Sequence, residues 1–244
     1  MEHSTMNPDT PTPPLSNISV KLLDYYGCDR RPVLAARVST LLDDMEPDQE
    51  RDLKLARYLL EHGHTSPYEH CGATFIVEAP IYAARQIMRH RTFSYNEMSR
   101  RYTSDDVSFY SPQRLYRQHE RRLQCSSHDT LEPAQELALL DQLEAHYQRS
   151  LDLYHDMLEQ GVSREQARLV LPVAQMTKFY MSGNLLNYIK FLRLRLDAHS
   201  QRETRLVAHA MYLHLAQCFP QIMHLCADLG LLGSDLQSIE EDAR

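Results

Sequence analysis

Between Gln86 and Tyr102 the chain reads QIMRHRTFSYNEMSRRY, its densest run of groups able to bind an anion. A helix opened by Pro80 and reaching His90 places Gln86, Arg89 and His90 at i, i+3 and i+4, so an amide, a guanidinium and an imidazole share one face. Ser94, Asn96, Glu97, Ser99, Arg100 and Arg101 follow at once, adding donors and one acceptor. So many polar groups between apolar flanks are costly unless something pairs with them. Ser99 lacks what a nucleophile needs: its neighbours are arginines where a base should stand, which leaves it the role of a hydrogen-bonding group. A solvated basic helix end would share this composition, so the spacing has to decide. Two other chemistries are open. His62, His64, Glu69 and His70 could ligate a metal for hydrolysis, although neither HExxH nor a second carboxylate cluster accompanies them and no metal is expected. Phe93, Tyr95 and Tyr102 interleave with arginines as in a stacking platform for single-stranded nucleic acid.

Positioning these groups requires a scaffold, and the hydrophobic pattern describes one. Ser19 to Tyr26 and Ala73 to Ala79 are short, β-branched or aromatic runs that read as strands. Helical periodicity runs through Pro47 to His62, Pro80 to His90, Glu132 to Gln160, Arg164 to Leu171, Leu185 to Leu196 and Ser200 to Cys218. Ser66-Pro67-Tyr68-Glu69 and Ser163 with Gln166 read as capping boxes, and Gly161 as a helix stop. Gln124 to Thr130 reads as a polar loop. Residues 1–16, with four prolines, form a disordered arm, and residues 233–244 an acidic tail. The architecture is therefore α+β, a single domain over residues 17–232 with a small, mainly antiparallel sheet covered by long helices.

A chain of 244 residues that is 43% hydrophobic suffices for one sizeable core. Its net charge of -7 argues against a general nucleic-acid binder, whose affinity rests on neutralising many phosphates. Only Lys21, Lys54, Lys178 and Lys190 among the 26 basic residues are lysines; arginine, the rest, offers a planar fork suited to phosphate. Five cysteines without a CxxC pair or a signal-peptide pattern imply a reducing, cytoplasmic setting. No apolar run approaches the roughly 18 to 20 residues of a membrane span. Seven glycines include no GxGxxG, so a dinucleotide would have to be held by side chains and helix ends.

Arg89-His90-Arg91, seven residues and then Ser99 resembles the RHRx7S signature of the flavin-dependent thymidylate synthases, and Asn96, Glu97 and Arg101 fit its wider pattern. The resemblance continues through Ala36-Arg37-Val38-Ser39, His62 to His70, Ala167 to Pro172 and Leu194 to His199, covering about residues 20 to 225. It implies C5 methylation of dUMP to dTMP, with FAD as hydride carrier, methylenetetrahydrofolate as carbon donor and NADPH as reductant, in a homotetramer. UMP is the alternative substrate. The conventional route to thymidylate uses a cysteine after a proline, and no cysteine here follows one. By resemblance, Ser66, Arg89, His90, Arg91, Glu97, Asn184, Lys190 and His64 serve the cofactor. Gln86, Arg89, Glu97, Ser99, Arg101, Arg168 and Arg195 hold the nucleotide. Arg195 is also the catalytic residue implied, polarising the pyrimidine so that electron density rises at C5, and His199 shares its helical face one turn on. The family usually has an arginine two residues after Asn184 and an amide further along; here those positions hold Leu186 and Lys190, with Asn187 placed to compensate.

Overall fold

The computed structural model describes residues 13–40 and 46–233. It divides into two compact units. Of the described residues, one, the sheet unit, takes 18–40, 46–79, 83–97 and 178–233; the other, the long-helix unit, takes 13–17, 80–82 and 98–177.

The sheet unit is built on strands β2 (Ser19–Tyr26), β3 (Gly72–Pro80), β4 (Ser94–Glu97) and β8 (Met176–Asn184), in the order β2-β3-β8-β4. β2 and β4 run antiparallel to their neighbours β3 and β8. A Lys178–Glu78 ion pair of 2.6 Å and a Ser182–Thr74 hydrogen bond of 3.1 Å join β8 to β3. Both inner strands alternate: Ala73, Phe75, Val77 and Ala79 of β3 and Phe179 and Met181 of β8 are buried, whereas Lys178 and Tyr180 between them are exposed. Burial every second residue is what a strand with one covered face requires. The cover is helical. α1 (Arg31–Arg37), α2 (Gln49–Glu61), α6 (Leu185–Arg195), α7 (Arg202–Cys218) and α8 (Pro220–Asp228) contribute Val33, Leu59, Tyr188, Phe191, Leu192, Met211, Leu215 and Ile222 to one continuous core.

Two details fix the joint between β8 and α6. Gly183 passes so close to Phe93 that any side chain there would overlap the ring. Tyr188, wholly buried, places its hydroxyl 3.1 Å from the Ala73 carbonyl and 3.0 Å from that of Met181, on adjacent strands. Tyr188→Phe should therefore cost about 1–3 kcal/mol, the penalty of leaving buried acceptors without a donor. A denaturant midpoint measures it, and an unchanged midpoint would show that the strands hold those carbonyls unaided.

The long-helix unit centres on α4 (Pro133–Glu159), with α5 (Arg164–Ala167) and a 3-10 turn, Arg168–Val170, packed on it. Phe109, Tyr147, Leu151 and Tyr154 form its core, with Phe109 and Tyr147 stacked at 4.8 Å. Its strands are short: β1 (Leu15–Ser16) lies parallel to β5 (Phe109–Tyr110), and β6 (Tyr116–Gln118) pairs with β7 (Ser126–Thr130).

The α+β expectation holds, as do both predicted strands to within a residue and the long helices to within two. Several boundaries change. The arm expected to end at residue 16 gives up Leu15 and Ser16 to β1, because β5 offers them a ladder; residues 1–12 lie outside the described residues, as do 234–244 of the acidic tail. Ser126–Thr130, read as loop, is strand β7. Helices α1 and α8 and strands β4 and β8 were not anticipated. Neither capping box forms: the Ser66 segment is a five-residue 3-10 helix (Ser66–His70) capped by Thr65, and Ser163 caps α5 without a side-chain bond. The first is dictated by Tyr68, which is wholly buried and donates to the Ala56 carbonyl at 2.8 Å, pinning the segment to α2. Gly161 closes α4 as expected, at φ +85°.

Candidate functional site

Helix α3 spans Ile81–Ile87 and stops three residues short of the His90 expected from the pattern. The cause is a competition for one carbonyl. In a continuing α-helix the Gln86 oxygen would accept from the His90 amide. Here it accepts from Arg195 Nη2 at 3.0 Å and from the Arg89 amide at 3.3 Å, while the His90 amide turns to Ile87 at 3.1 Å. The chain tightens, and the Tyr95 hydroxyl clamps the turn by donating toward the Ile87 and His90 carbonyls at 3.0 and 3.1 Å. Gln86, Arg89 and His90 consequently sit around a tight turn and not along one helical face.

Arg195, the last residue of α6, is the hub of this turn. Its Nε donates to His90 Nε2 at 2.9 Å. His90 must then be neutral, with its proton on Nδ1. Burial and, behind it, the charge of Arg195 push its pKa down to about 4. The ring is fixed from the other side by Phe191, edge-on at 4.9 Å. Burial also draws the Arg195 pKa below its ordinary value. Two donors of the guanidinium are spent on holding the turn, leaving Nη1 for other duties. Arg89 and Arg91 flank the hub and are exposed.

Beside Arg195 lies a depression of about 380 Å³ lined by Lys190, Arg193, Arg195, Asp197, His199 and Ser200. Its chemistry is that of an anion receptor: three cationic side chains, one carboxylate already engaged, and a buried Ser200 hydroxyl without a hydrogen-bond partner among the described residues. Asp197 accepts from both the His199 amide, at 2.9 Å, and the His199 ring, at 2.5 Å, and these bonds hold its carboxyl below the usual range. That local turn ends α6 at Arg195, so His199 does not continue Arg195's helical face as the periodicity suggested.

Asn184 is the N-cap of α6, its Oδ1 accepting from the Asn187 amide at 2.9 Å. His64 is exposed and lies parallel to Tyr58 at 6.0 Å, with His62 stacked on the same Tyr58 at 4.1 Å. Ser66 and Glu97 are exposed, at the start of the 3-10 helix and the end of β4. Among the described residues no group of three His, Cys, Asp or Glu is placed to hold a metal ion, which leaves the His62–His70 cluster without the geometry of a metal centre. No helix among them is long and apolar enough to cross a membrane.

Ser99, Arg101 and Arg168 belong to the long-helix unit and are gathered there by residues that sequence reasoning missed. The Arg101 amide donates to Ser99 Oγ at 3.3 Å, Arg101 Nε lies 3.9 Å from the Glu165 carboxylate, and Arg168 Nε reaches the Glu165 carbonyl at 3.3 Å. Between Ser99 and Arg101, Arg100 is buried and bonds the carbonyls of Asp105 and Asp106, holding Asp106 at φ +54°. Nothing in the run Ser-Arg-Arg-Tyr distinguishes the arginine that turns inward from the one that turns out.

The family described as Thymidylate synthase complementing protein matches residues 21–221. The chain belongs to that family. A flavin-dependent thymidylate synthase from Pseudothermotoga lettingae is 43% identical over 203 residues, 83% of this chain and 85% of the relative. One from Thermus thermophilus is 42% identical over 199 residues, 82% and 72% of the two chains. Among solved structures, the UMP/dUMP methylase PolB from Streptomyces cacaoi, bound with 5-Br dUMP, superposes with a TM-score of 0.82 at 32% identity, over 89% of this chain and 98% of that one.

Membership makes the protein a flavin-dependent methyltransferase of nucleotide synthesis, and the donor set fits such a cofactor. Cationic side chains and helix ends suit an acceptor-rich anion where no glycine-rich loop exists. The family's usual arginine two residues after Asn184 has no counterpart: Leu186 is 5% exposed and belongs to the core. Asn187, expected to compensate, directs its Nδ2 to the Thr92 carbonyl at 3.1 Å and so ties α6 to the turn that follows Arg91. Lys190 remains exposed at the depression as a point charge.

Proposed function

We propose that this protein methylates C5 of dUMP to give dTMP, with FAD as the bound flavin, methylenetetrahydrofolate as carbon donor and NADPH as reductant. It acts as a cytoplasmic homotetramer in which residues 17–232 form one catalytic domain. The observation that carries this reading is the Arg195 hub, a guanidinium held between a neutral histidine and a main-chain carbonyl inside the RHR turn.

The residues divide the work by their chemistry. Carbon 5 of uracil is a weak nucleophile, so the site must favour loss of the N3 proton and stabilise the resulting ring anion, which is richer in electrons at C5. The Arg195 guanidinium does this through its remaining donors; His90, unable to take a proton at working pH, keeps the guanidinium aimed without competing for charge. Arg89 and Arg91, exposed on either side, offer forks to phosphate, as do Arg101 and Arg168 with Ser99 beside them. Gln86 and Glu97 supply an amide and a carboxylate for the nucleotide, and Ser66, His64, Asn184 and Lys190 serve the cofactor. Bound FAD supplies the hydride that brings the transferred one-carbon unit to the methyl level.

Thymidylate formation from dUMP, assayed beside methylation of UMP with and without FAD, tests the proposal. FAD-dependent turnover with dUMP preferred is the expected result; methylation of UMP alone would transfer the activity to ribonucleotides. Arg89→Ala should weaken both flavin and nucleotide binding by about 1.5 to 3 kcal/mol, the value of a hydrogen bond to a charged group. Unchanged titrations for both ligands would make Arg89 a solvated turn residue.

A further inference from the structure

Gln86 is tied into a chain of side chains that the proposed reaction has not used. Gln201 stands at the N-cap position of α7, yet its side chain caps nothing. It faces two ways instead: its Nε2 lies 2.9 Å from Glu203 Oε2, and its Oε1 meets Gln86 Nε2 in a short hydrogen bond. Beyond Gln86, the hydroxyl of Thr204, a fully buried residue, lies 3.5 Å from Gln86 Oε1. All four residues belong to the sheet unit.

The order of donors along this chain is dictated from one end. An amide can be turned over with almost no change of shape, so its orientation is settled by its partners. A carboxylate only accepts. Glu203 therefore requires the NH2 of Gln201, which leaves the Gln201 oxygen toward Gln86. Gln86 must answer with its own NH2, and its oxygen is left toward the Thr204 hydroxyl. One N–H and one lone pair of Gln86 remain, in directions chosen by a carboxylate two amides away. The same residue's main-chain carbonyl is the one held by Arg195.

We propose that Gln201 and Glu203 are positioning residues that set which end of the Gln86 amide faces the nucleotide. The inference rests on the reading of Gln86 as a nucleotide ligand. Substituting Glu203 by glutamine removes the fixed acceptor, so the three amides can run in either direction and the ligand meets a mixed population. Binding through the competent fraction alone weakens apparent affinity in proportion. Glu203 also occupies the first turn of α7, where a carboxylate suits the helix dipole irrespective of any relay. The double exchange Gln201→Glu with Glu203→Gln separates the two roles: the carboxylate then accepts directly from the Gln86 NH2 and from the new glutamine, so the Gln86 orientation is restored.

The test measures the dissociation constant of dUMP by calorimetry on the FAD-loaded protein for the wild type, Glu203→Gln, the double exchange and Gln86→Ala, with steady-state kcat and KM alongside. Glu203→Gln is expected to weaken dUMP binding by up to about tenfold, ~1.4 kcal/mol, and to raise KM more than it lowers kcat. The double exchange is expected to return most of that affinity, and Gln86→Ala to lose at least as much. Weakening by Glu203→Gln that the double exchange fails to restore would overturn the relay and leave the helix dipole as the cause. Normal affinity in Glu203→Gln beside weak binding in Gln86→Ala would likewise overturn the relay while leaving Gln86 as a ligand. Normal affinity in Gln86→Ala would instead remove Gln86 from the nucleotide site, and the proposal with it.

Discussion

Replacing Arg195 by alanine should lower thymidylate formation about a hundredfold to a thousandfold, the usual cost of removing one electrostatic donor from a reacting centre. The loss should fall on kcat more than on nucleotide affinity, because the interaction strengthens as charge develops on the pyrimidine. The geometry adds a second expectation. Arg195 holds His90 Nε2 and the Gln86 carbonyl at once, so its removal also frees the turn that carries Arg89. Arg195→Lys keeps the charge but cannot reproduce the planar fork that reaches both acceptors, and it should recover only part of the activity. Steady-state rates beside a flavin titration of each variant measure this. Near-normal turnover in Arg195→Ala would reduce the residue to a structural brace.

The largest stability effect is expected at a residue given no part in the chemistry, Asp52 of α2. Its carboxylate takes Arg37 Nη2 at 2.5 Å and Arg30 Nε at 3.0 Å, with Arg37 only 6% exposed and Asp52 9%. Deleting one partner of a buried ion pair leaves the other charge uncompensated, at a cost of about 3–5 kcal/mol. Asp52→Asn should therefore be nearly as damaging as Asp52→Ala, because the amide preserves shape without balancing Arg37. Arg30→Ala should cost much less, since that guanidinium is partly solvated and can return to water. Urea denaturation of the three variants makes the comparison. Equal, small losses throughout would mean that water screens the pair.

What could be read from the residues and what could not follow a physical line. β2 and β3 were legible because β-branched and aromatic residues alternate there, and α2, α4, α6 and α7 because their apolar stripes repeat at the helical period. β8 was missed although Thr177, Phe179 and Met181 are buried at its inward positions. Met, Lys and Ser have little intrinsic strand preference, and its place in the sheet comes from pairing with β3 and β4. The early end of α3 was invisible for a sharper reason: the donor that takes the Gln86 carbonyl comes from Arg195, 109 residues away. Local periodicity contains no term for such a competitor. Arg195 itself, His90 and Gln86 were legible by resemblance, and the structure brings them into contact. Gln201 and Glu203 fall at the start of the helix read from Ser200 to Cys218, and only the fold puts Gln201, with Glu203 behind it, against Gln86.

In the proposed reaction the methyl group of dTMP is completed at the expense of a flavin held by this protein. The most direct measurement is anaerobic: the FAD-loaded protein is reduced by one equivalent, NADPH is removed, and dUMP and methylenetetrahydrofolate are added while the flavin spectrum and the product are followed together. The oxidised flavin spectrum should return only when both substrates are present, with one dTMP formed per flavin. Thymidylate produced while the flavin stays reduced, or produced equally by flavin-free protein, would contradict it.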